Sequence, residues 1–465
     1  MSMGLIKERK YILNNASGAA TKKLRGDILD IIEKVVAESN PYKIVKKALR
    51  VTGAGKLSVQ EKITLDLNVF KRILVIGAGK GTYEMARAVE EIFGKRVTDG
   101  FIAIGALQTD CKLKTIGHCV AGHPFPNQNG VAGAKKILRI LKSARKDDLI
   151  IGLFSGGGSA MLDVPAEGIT LPESIKLTEL LIRSKASIDE INVIRKHVSC
   201  VKGGQLACST ANAKMVCLYL SDVVGDSLET IASGPTVPDS STFGQAVEIL
   251  RHHGLWKKTP AAIRTHLKNG ERGKCPETPK ADHEVFCSNR VYNFLIGGHE
   301  STLTVAVAIA RKKGYEVLPW THALQGEVSV TVERVFKTFN ALKKKQENTS
   351  KPLLLIATGE TTMHVRGKGA GGRNQQVVIE SLGRLKEGEV LAAFDTDGID
   401  GVAPEKVGGA IVDSQTLIRG NTLGLNAEKM ALNNDPYNYF KPLHELIISG
   451  PTGTNIGDIV LLGYR

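Results

Sequence analysis

The chain is short of several features that would settle its class at once. Nowhere in its 465 residues does an apolar run approach the ~20 residues a membrane-spanning helix needs, so no membrane association is expected. It has seven cysteines, an odd number, and no C-x-x-C pair, which argues against a disulfide framework and against a structural zinc site. The nearest approach to a metal cluster is His118, Cys119 and His123 in "GHCVAGH", read here as a strand followed by a turn at "HPFP". The opening "MSMGLIKERK" has no apolar core of a secretory signal, so a cytoplasmic location is expected. Aromatic residues make up only 5% of the chain, which leaves little for base stacking. Acidic residues (47) are outnumbered by Lys and Arg (62), giving a formal charge of +15, yet no basic run is longer than a triplet such as the "KKK" at 343–345. Scattered positive charge of this kind suits small anionic metabolites better than nucleic acid. There is no G-x-x-x-x-G-K-[ST] loop and no protein-kinase H-R-D/D-F-G set.

What is present is a succession of short apolar runs separated in many places by helical segments. The runs are "RILVIG" (72–77), "LIIGLF" (149–154), "MVCLYL" (215–220), "YNFLIG" (292–297), "YEVLPW" (315–320), "LLLIAT" (353–358), "VLAAF" (390–394) and "DIVLLG" (458–463). Continuous apolar strands buried on both faces imply α/β architecture with largely parallel sheets. Residues 19–50 carry helical periodicity through Leu24, Ile28, Ile31, Ile32, Val35 and Val36, with the Asn40-Pro41 step ending one helix and starting another. A polar, Pro-containing stretch at 267–290 reads as a boundary, and "LKKKQENTSKP" (342–352) as a surface loop. The expected domains are 1–285, with the possibility that helices in 19–50 pack on the second domain, and 286–465.

In open α/β sheets ligands bind outside the carboxyl ends of the strands. Six of the runs end in Gly, Ser, Thr, Asp or Lys, which together suggest an extended polar site. The first is Gly77-Ala78-Gly79-Lys80-Gly81, a strand-to-helix turn like that of a dinucleotide-binding unit. Thr82, however, stands where that fingerprint has its third glycine, and Lys80 sits inside the turn. The second is Ser155-Gly156-Gly157-Gly158-Ser159, whose backbone amides and hydroxyls can converge on phosphate. "GGRN" puts Arg373 and Asn374 at the mouth of a helix, where free amides and a guanidinium bind anions. Asp222, Asp226, Asp395, Asp397 and Asp400 follow other runs; each is either an Asx-turn or a magnesium ligand or base for phosphoryl transfer. "SIDEINVIRKHVSCVKGG" carries the capping box Ser187/Glu190 and a buried face of Ile191, Ile194, Val198 and Val201. Its polar stripe of Asn192, Arg195, Ser199 and Lys202 reads on spacing alone as a solvated face.

Taken together, "GAGK", "GHPFPNQNG", "LFSGGGSAML", "INVIRKHVSCVKGGQLA", "SDVVGDSLETIASGPTVPD", "GETT", "GKGAGGRNQQ", "DTDGIDG" and "SGPTGTNIGD" resemble the class II glycerate kinase family with its C-terminal MOFRL domain, from about residue 72 to the C-terminus and in the family's order. The resemblance implies a Rossmann-like three-layer α/β domain with a largely parallel sheet and a second with a mixed sheet. It also implies an active site in the inter-domain cleft and ATP-dependent phosphorylation of D-glycerate, at the 2-position, with Mg2+ or another divalent cation. By this resemblance Lys80 and Arg373 are catalytic and Arg195, Lys202 and Asn374 contact substrate. Ser155, Gly156, Gly157, Gly158, Ser159, Gly359 and Thr361 are assigned to ATP. Asp222 is assigned as base or metal ligand, with Asp397 as a second ligand. A monomer or homodimer is expected. Two departures stand out: "VAPEKVGGAIVD" after "DGIDG", with Lys406 and Val407, is longer than the family's segment, and Gly457 stands where the family often has Asn. The alternatives are an NAD(P)H-dependent hydroxypyruvate reductase and a binding protein that senses an anionic metabolite.

Overall fold

The structure is a computed structural model that describes residues 4–105, 112–184, 186–210, 212–321, 323–345 and 351–465. Its contacts divide the chain into two compact units. One comprises Pro41–Ser221 and Asp226–Ile296; the other comprises the chain up to Asn40, Asp222–Gly225 and Gly297–Arg465.

The first unit opens with a small antiparallel sheet of β1 (Leu49–Val51), β2 (Lys56–Val59) and β3 (Ile63–Asp66). Its main sheet contains β4 (Arg72–Ala78), β5 (Val97–Ile104), β6 (Gly117–Val120), β7 (Asp148–Phe154), β8 (Lys214–Leu220) and β9 (Val291–Gly297), in the order β6-β5-β4-β7-β8-β9. The pairs β5–β6, β4–β5, β4–β7 and β7–β8 are parallel. β5 and β6 run off one side of β4, and β7, β8 and β9 off the other. Strand order therefore reverses between β4 and β7, which makes their carboxyl ends the topological switch point. β4 and β7 are buried along almost their whole length, as their unbroken apolar sequences require. The stretch 267–290 is wired into this unit: the Asp239 amide donates to Pro279 O (2.9 Å) and the Met215 amide to Arg290 O (2.7 Å). β9 then completes the sheet, so the strand beyond the expected 285/286 division pairs within the first unit.

The second unit holds β10 (Glu316–Pro319), β11 (Leu324–Glu327), β12 (Leu353–Thr362), β13 (Glu389–Asp395), β14 (Gly409–Asp413), β15 (Leu446–Ile447) and β16 (Asp458–Tyr464). The order is β10-β12-β16-β13-β14-β15, with β11 also on β12. β10 and β11 are parallel to β12, whereas β12–β16, β13–β16, β13–β14 and β14–β15 are antiparallel, so this sheet is mixed. The alternation of side chains splits its core in two. Leu355, Ala357, Leu391, Ala393 and Leu462 face the helices Val328–Lys345 and Arg373–Ser381. Leu354, Ile356, Val390, Ala392 and Leu461 face the helices Ala19–Glu38 and His299–Lys312. The helical pattern of residues 19–50 does break at Asn40-Pro41, and its second half, Pro41–Ala48, belongs to the other unit. Of the expected loop 342–352, residues 342–345 are helical and 346–350 lie outside the described residues.

Candidate active site

At the switch point of the first sheet the turn after β4 and the loop after β7 are built as one piece. The Lys80 amide donates to Gly156 O (2.8 Å) and the Ser155 amide to Ala78 O (3.1 Å). The Ser155 hydroxyl accepts from the Gly81 amide (3.0 Å) and lies 3.2 Å from Thr82 Oγ1. Ser155 is therefore committed to holding the start of the helix Thr82–Phe93, while the Lys80 side chain is exposed. Glycine is obligatory at 79: its φ is +138°, and a Cβ there would lie 2.2 Å from Ser155 Oγ. Among the described residues the amides of Gly156 and Gly157 have no hydrogen-bond partner, whereas that of Gly158 donates to Ser155 O (3.1 Å).

A second layer supports this loop. Ser159 Oγ meets Ser233 Oγ (2.8 Å), which donates to Asn192 Oδ1 (2.8 Å). Ser233 belongs to a run of left-handed residues, Ala232 (φ 52°), Ser233 (φ 58°) and Gly234 (φ 58°). Two of them are not glycine, so the segment stores backbone strain beside the Gly-rich loop. A Cβ on Gly158 would sit 2.7 Å from Ala232 Cβ, so the two segments are in contact.

The polar stripe of the helix Ile188–His197 and its extension is buried rather than solvated. Asn192, Ser199 and Lys202 are all buried. The Lys202 ammonium donates to Leu162 O (2.9 Å), Asp163 Oδ1 (2.5 Å) and Ser199 Oγ (3.4 Å), which accounts for its three protons. Burial pushes its pKa down, against the pull of Asp163. Burial also lowers that of Arg195, again opposed by Asp163. Arg195, Lys202, Asp163 and Ser159 line, with Pro124 and Pro126, a cavity of about 20 Å³, enough for a water molecule. Asp163 carries no sequence signal of its own; only its place after "SGGGSAML" marks it.

In the second unit Arg373 opens the helix Arg373–Ser381 and is gripped by three carboxylates. Nε and Nη2 donate to Asp458 (2.7 and 3.0 Å), Nη1 to Glu360 (2.5 Å) and Nη2 to Asp395 (3.2 Å). Burial opposes the charge, but these carboxylates outweigh it and hold the guanidinium pKa above its ordinary value. The anion at this helix mouth is Asp400. Its two oxygens accept the amides of Asn374 (2.9 Å) and Gln375 (2.8 Å), and a Cβ on Gly372 would lie 2.4 Å from its carbonyl carbon. Burial raises the Asp400 pKa to about 6 against those hydrogen bonds. The Asn374 side-chain amide donates to Asp458 (2.8 Å) and Asp400 (3.3 Å). Asp395 is pushed well above the carboxylate range by burial and by Asp458 and Asp397.

Loop 449–458 gathers the remaining residues of this unit. Asn455 Nδ2 donates to Asp222 Oδ2 (3.1 Å), and the Thr452 amide donates to Asp397 O (3.0 Å). Asp397 Oδ1 accepts the Ile399 amide (2.7 Å), an Asx-turn. Gly359 allows β11 to approach β12, since a Cβ there would lie 2.3 Å from Leu324 N, and Thr361 is buried in the same strand. Gly457 has φ +82°, a conformation that Asn also tolerates, but its Cβ site is 2.3 Å from His299 Cε1. In the inserted segment Val407 is buried, its carbonyl accepting the Asp400 amide (2.7 Å). Among the described residues no three His, Cys, Asp or Glu side chains form a metal cage, and this includes His118, Cys119 and His123.

The fold and the site together define a two-unit α/β protein with cationic and glycine-rich strand ends on one sheet and an arginine-centred acidic cluster on the other. The comparisons agree on which one. The chain belongs to the family described by two models, a domain termed DUF4147 over residues 27–268 and the MOFRL family over 353–458. It is 37% identical to a glycerate 2-kinase of Pyrococcus horikoshii over 93% of this chain and 96% of that protein. It is 33% identical to an Agrobacterium vitis protein provisionally named hydroxypyruvate reductase, over 89% and 93% of the two chains. The crystal structure of a glycerate kinase from Thermotoga maritima superposes with a TM-score of 0.81 at 32% identity, covering 96% of this chain and 100% of that one.

Proposed function

We propose that the chain is a glycerate 2-kinase that transfers the γ-phosphoryl group of ATP to D-glycerate. The observation that carries this reading is the fused Lys80 and Gly-rich loop at the switch point of the parallel sheet. Phosphoryl transfer asks chiefly for positioning and for positive charge on the oxygens of the moving group. The open amides of Gly156 and Gly157 suit ATP phosphates, and Lys80 suits the transferring group. Arg195, partly exposed beside the cavity, suits the glycerate carboxylate; Lys202, with its protons spent on Leu162, Asp163 and Ser199, is better cast as the support of that site. Arg373 supplies the cation of the second unit. Asn374 orients Asp458 beside it.

Asp222 and Asp397, both tied to loop 449–458, are carboxylates of the kind that suits a divalent cation of the magnesium type, which prefers one or two carboxylates plus phosphate oxygens. Bound there, the ion would supply neutralisation of phosphate charge. With ATP as co-substrate, the reaction is assigned to the cytoplasm. No helix among the described residues is long and apolar enough to cross a membrane.

The reductase reading has a specific obstacle. The position of the third fingerprint glycine is Thr82, buried and hydrogen-bonded to the loop after β7. A coupled ADP assay with ATP, magnesium and D-glycerate, run beside NADH absorbance with hydroxypyruvate, separates the two. Glycerate-dependent ADP and no NADH oxidation is the expected result; NADH oxidation without ADP would replace the kinase with the reductase.

A further inference from the structure

His123 follows β6 and lies on the Gly-rich loop: a Cβ on Gly157 would be 3.1 Å from its Cδ2 and 3.4 Å from its Nε2. The next residue, Pro124, lines the cavity shared by Ser159, Arg195 and Lys202. The residue is exposed, and its ring makes no hydrogen bond to a described residue. The charged groups that face it are Lys80, from the turn after β4, and Arg195, from the helix Ile188–His197, with Asp163 behind Arg195. An uncommitted imidazole thus stands among the groups to which the kinase reading assigns phosphate and carboxylate.

We propose that His123 is the proton acceptor for the glycerate 2-hydroxyl. This rests on the kinase reading and adds the group that completes it. The hydroxyl oxygen forms a bond to the γ-phosphorus as its O–H bond breaks and the proton passes to a ring nitrogen of His123. The bond from the γ-phosphorus to the bridging oxygen breaks, and its electron pair leaves with ADP; the imidazolium then returns its proton to solvent. Packing of the ring against the Gly-rich loop removes part of its water, and this, with the charges of Lys80 and Arg195, pushes its pKa down to about 4 although the residue is exposed. In the absence of substrate the site therefore holds His123 neutral and ready to accept. Anionic substrates neutralise the same two cations, so the imidazole becomes more basic when the proton must be taken.

The test uses the full chain and the ADP assay. His123→Ala is expected to lose ~10²–10⁴-fold in kcat, the usual worth of a positioned base. KM for D-glycerate should stay within roughly threefold, and added imidazole should restore at least a tenth of the lost turnover. In the NMR titration of the His123 ring, D-glycerate should raise the midpoint. If wild type yields no glycerate-dependent ADP, the kinase reading and this inference fall together. If wild type is active and His123→Ala keeps its kcat within roughly threefold, or loses it without imidazole rescue, only this inference falls. A midpoint that D-glycerate leaves unmoved also overturns it.

Discussion

Single residues in this protein show through their hydrogen-bond partners how far they are committed to the fold. Ser155 and Lys202 read in the sequence as ligand groups, but their polar atoms are engaged by Gly81 and Asp163, and the Asn374 side-chain nitrogen is engaged by Asp458 while its Oδ1 has no partner among the described residues. At Lys80 the backbone amide is fixed on Gly156 O and the side chain is exposed. Lys80→Ala therefore leaves the loop intact, and should lower kcat/KM by ~10²–10³-fold while leaving the thermal midpoint unchanged. Equal loss of activity and stability would make Lys80 a structural residue. His123 was legible only as part of a turn, because its neighbours Lys80, Gly157 and Arg195 come from three separate stretches of chain.

At the scale of elements, the eight apolar runs all became strands because their signal is local and unbroken. The remaining strands lacked it. β5 begins "VTDG", β11 is "LQGE", and β1 to β3 form a small antiparallel sheet with exposed residues in every strand. The cap of the helix Arg373–Ser381 was also hidden, since Asp400 lies on a later loop. The helix Ala19–Glu38 is fixed by Arg25, wholly buried between Asp413 (2.8 Å) and Glu445 (2.6 Å). Arg25→Leu would leave two buried carboxylates short of a cation and should cost ~3–5 kcal/mol in urea unfolding. A loss below about 1 kcal/mol, the range of a surface pair, would contradict this account of the helix's anchorage.

A second element-scale prediction concerns pH. Glu277 ties the 267–290 stretch to His197 at 2.8 Å. Burial alone would raise its pKa, but His197 and the amides of Phe243 and Thr278 bring it down to about 2 from 4.5. A carboxylate depressed on folding stabilises above its unfolded pKa, and the gain is lost as pH falls through the folded one. Glu277→Gln should therefore lower the urea midpoint at neutral pH, and the difference from wild type should shrink between pH 4.5 and 2. A difference that stays constant over that window would mean that charge plays no part in the tie.

For the whole molecule, composition alone pointed to anionic ligands through the +15 charge, but not to where they bind. The place proposed for them follows from topology: reversal of strand order between β4 and β7 puts two Gly-rich loops together, and only pairing of strands distant in sequence creates that reversal. The order of the motifs, by contrast, was legible along the chain, and the family assignment rests on it together with the 37% identity to a glycerate 2-kinase. The product of the reaction tests the kinase assignment most directly. Wild-type protein with ATP, magnesium and D-glycerate, followed by proton-coupled phosphorus-31 NMR, should give a new phosphate ester split into a doublet by the single hydrogen on carbon 2. A triplet would place the phosphate on carbon 3, and no new ester at all would contradict the kinase reading itself.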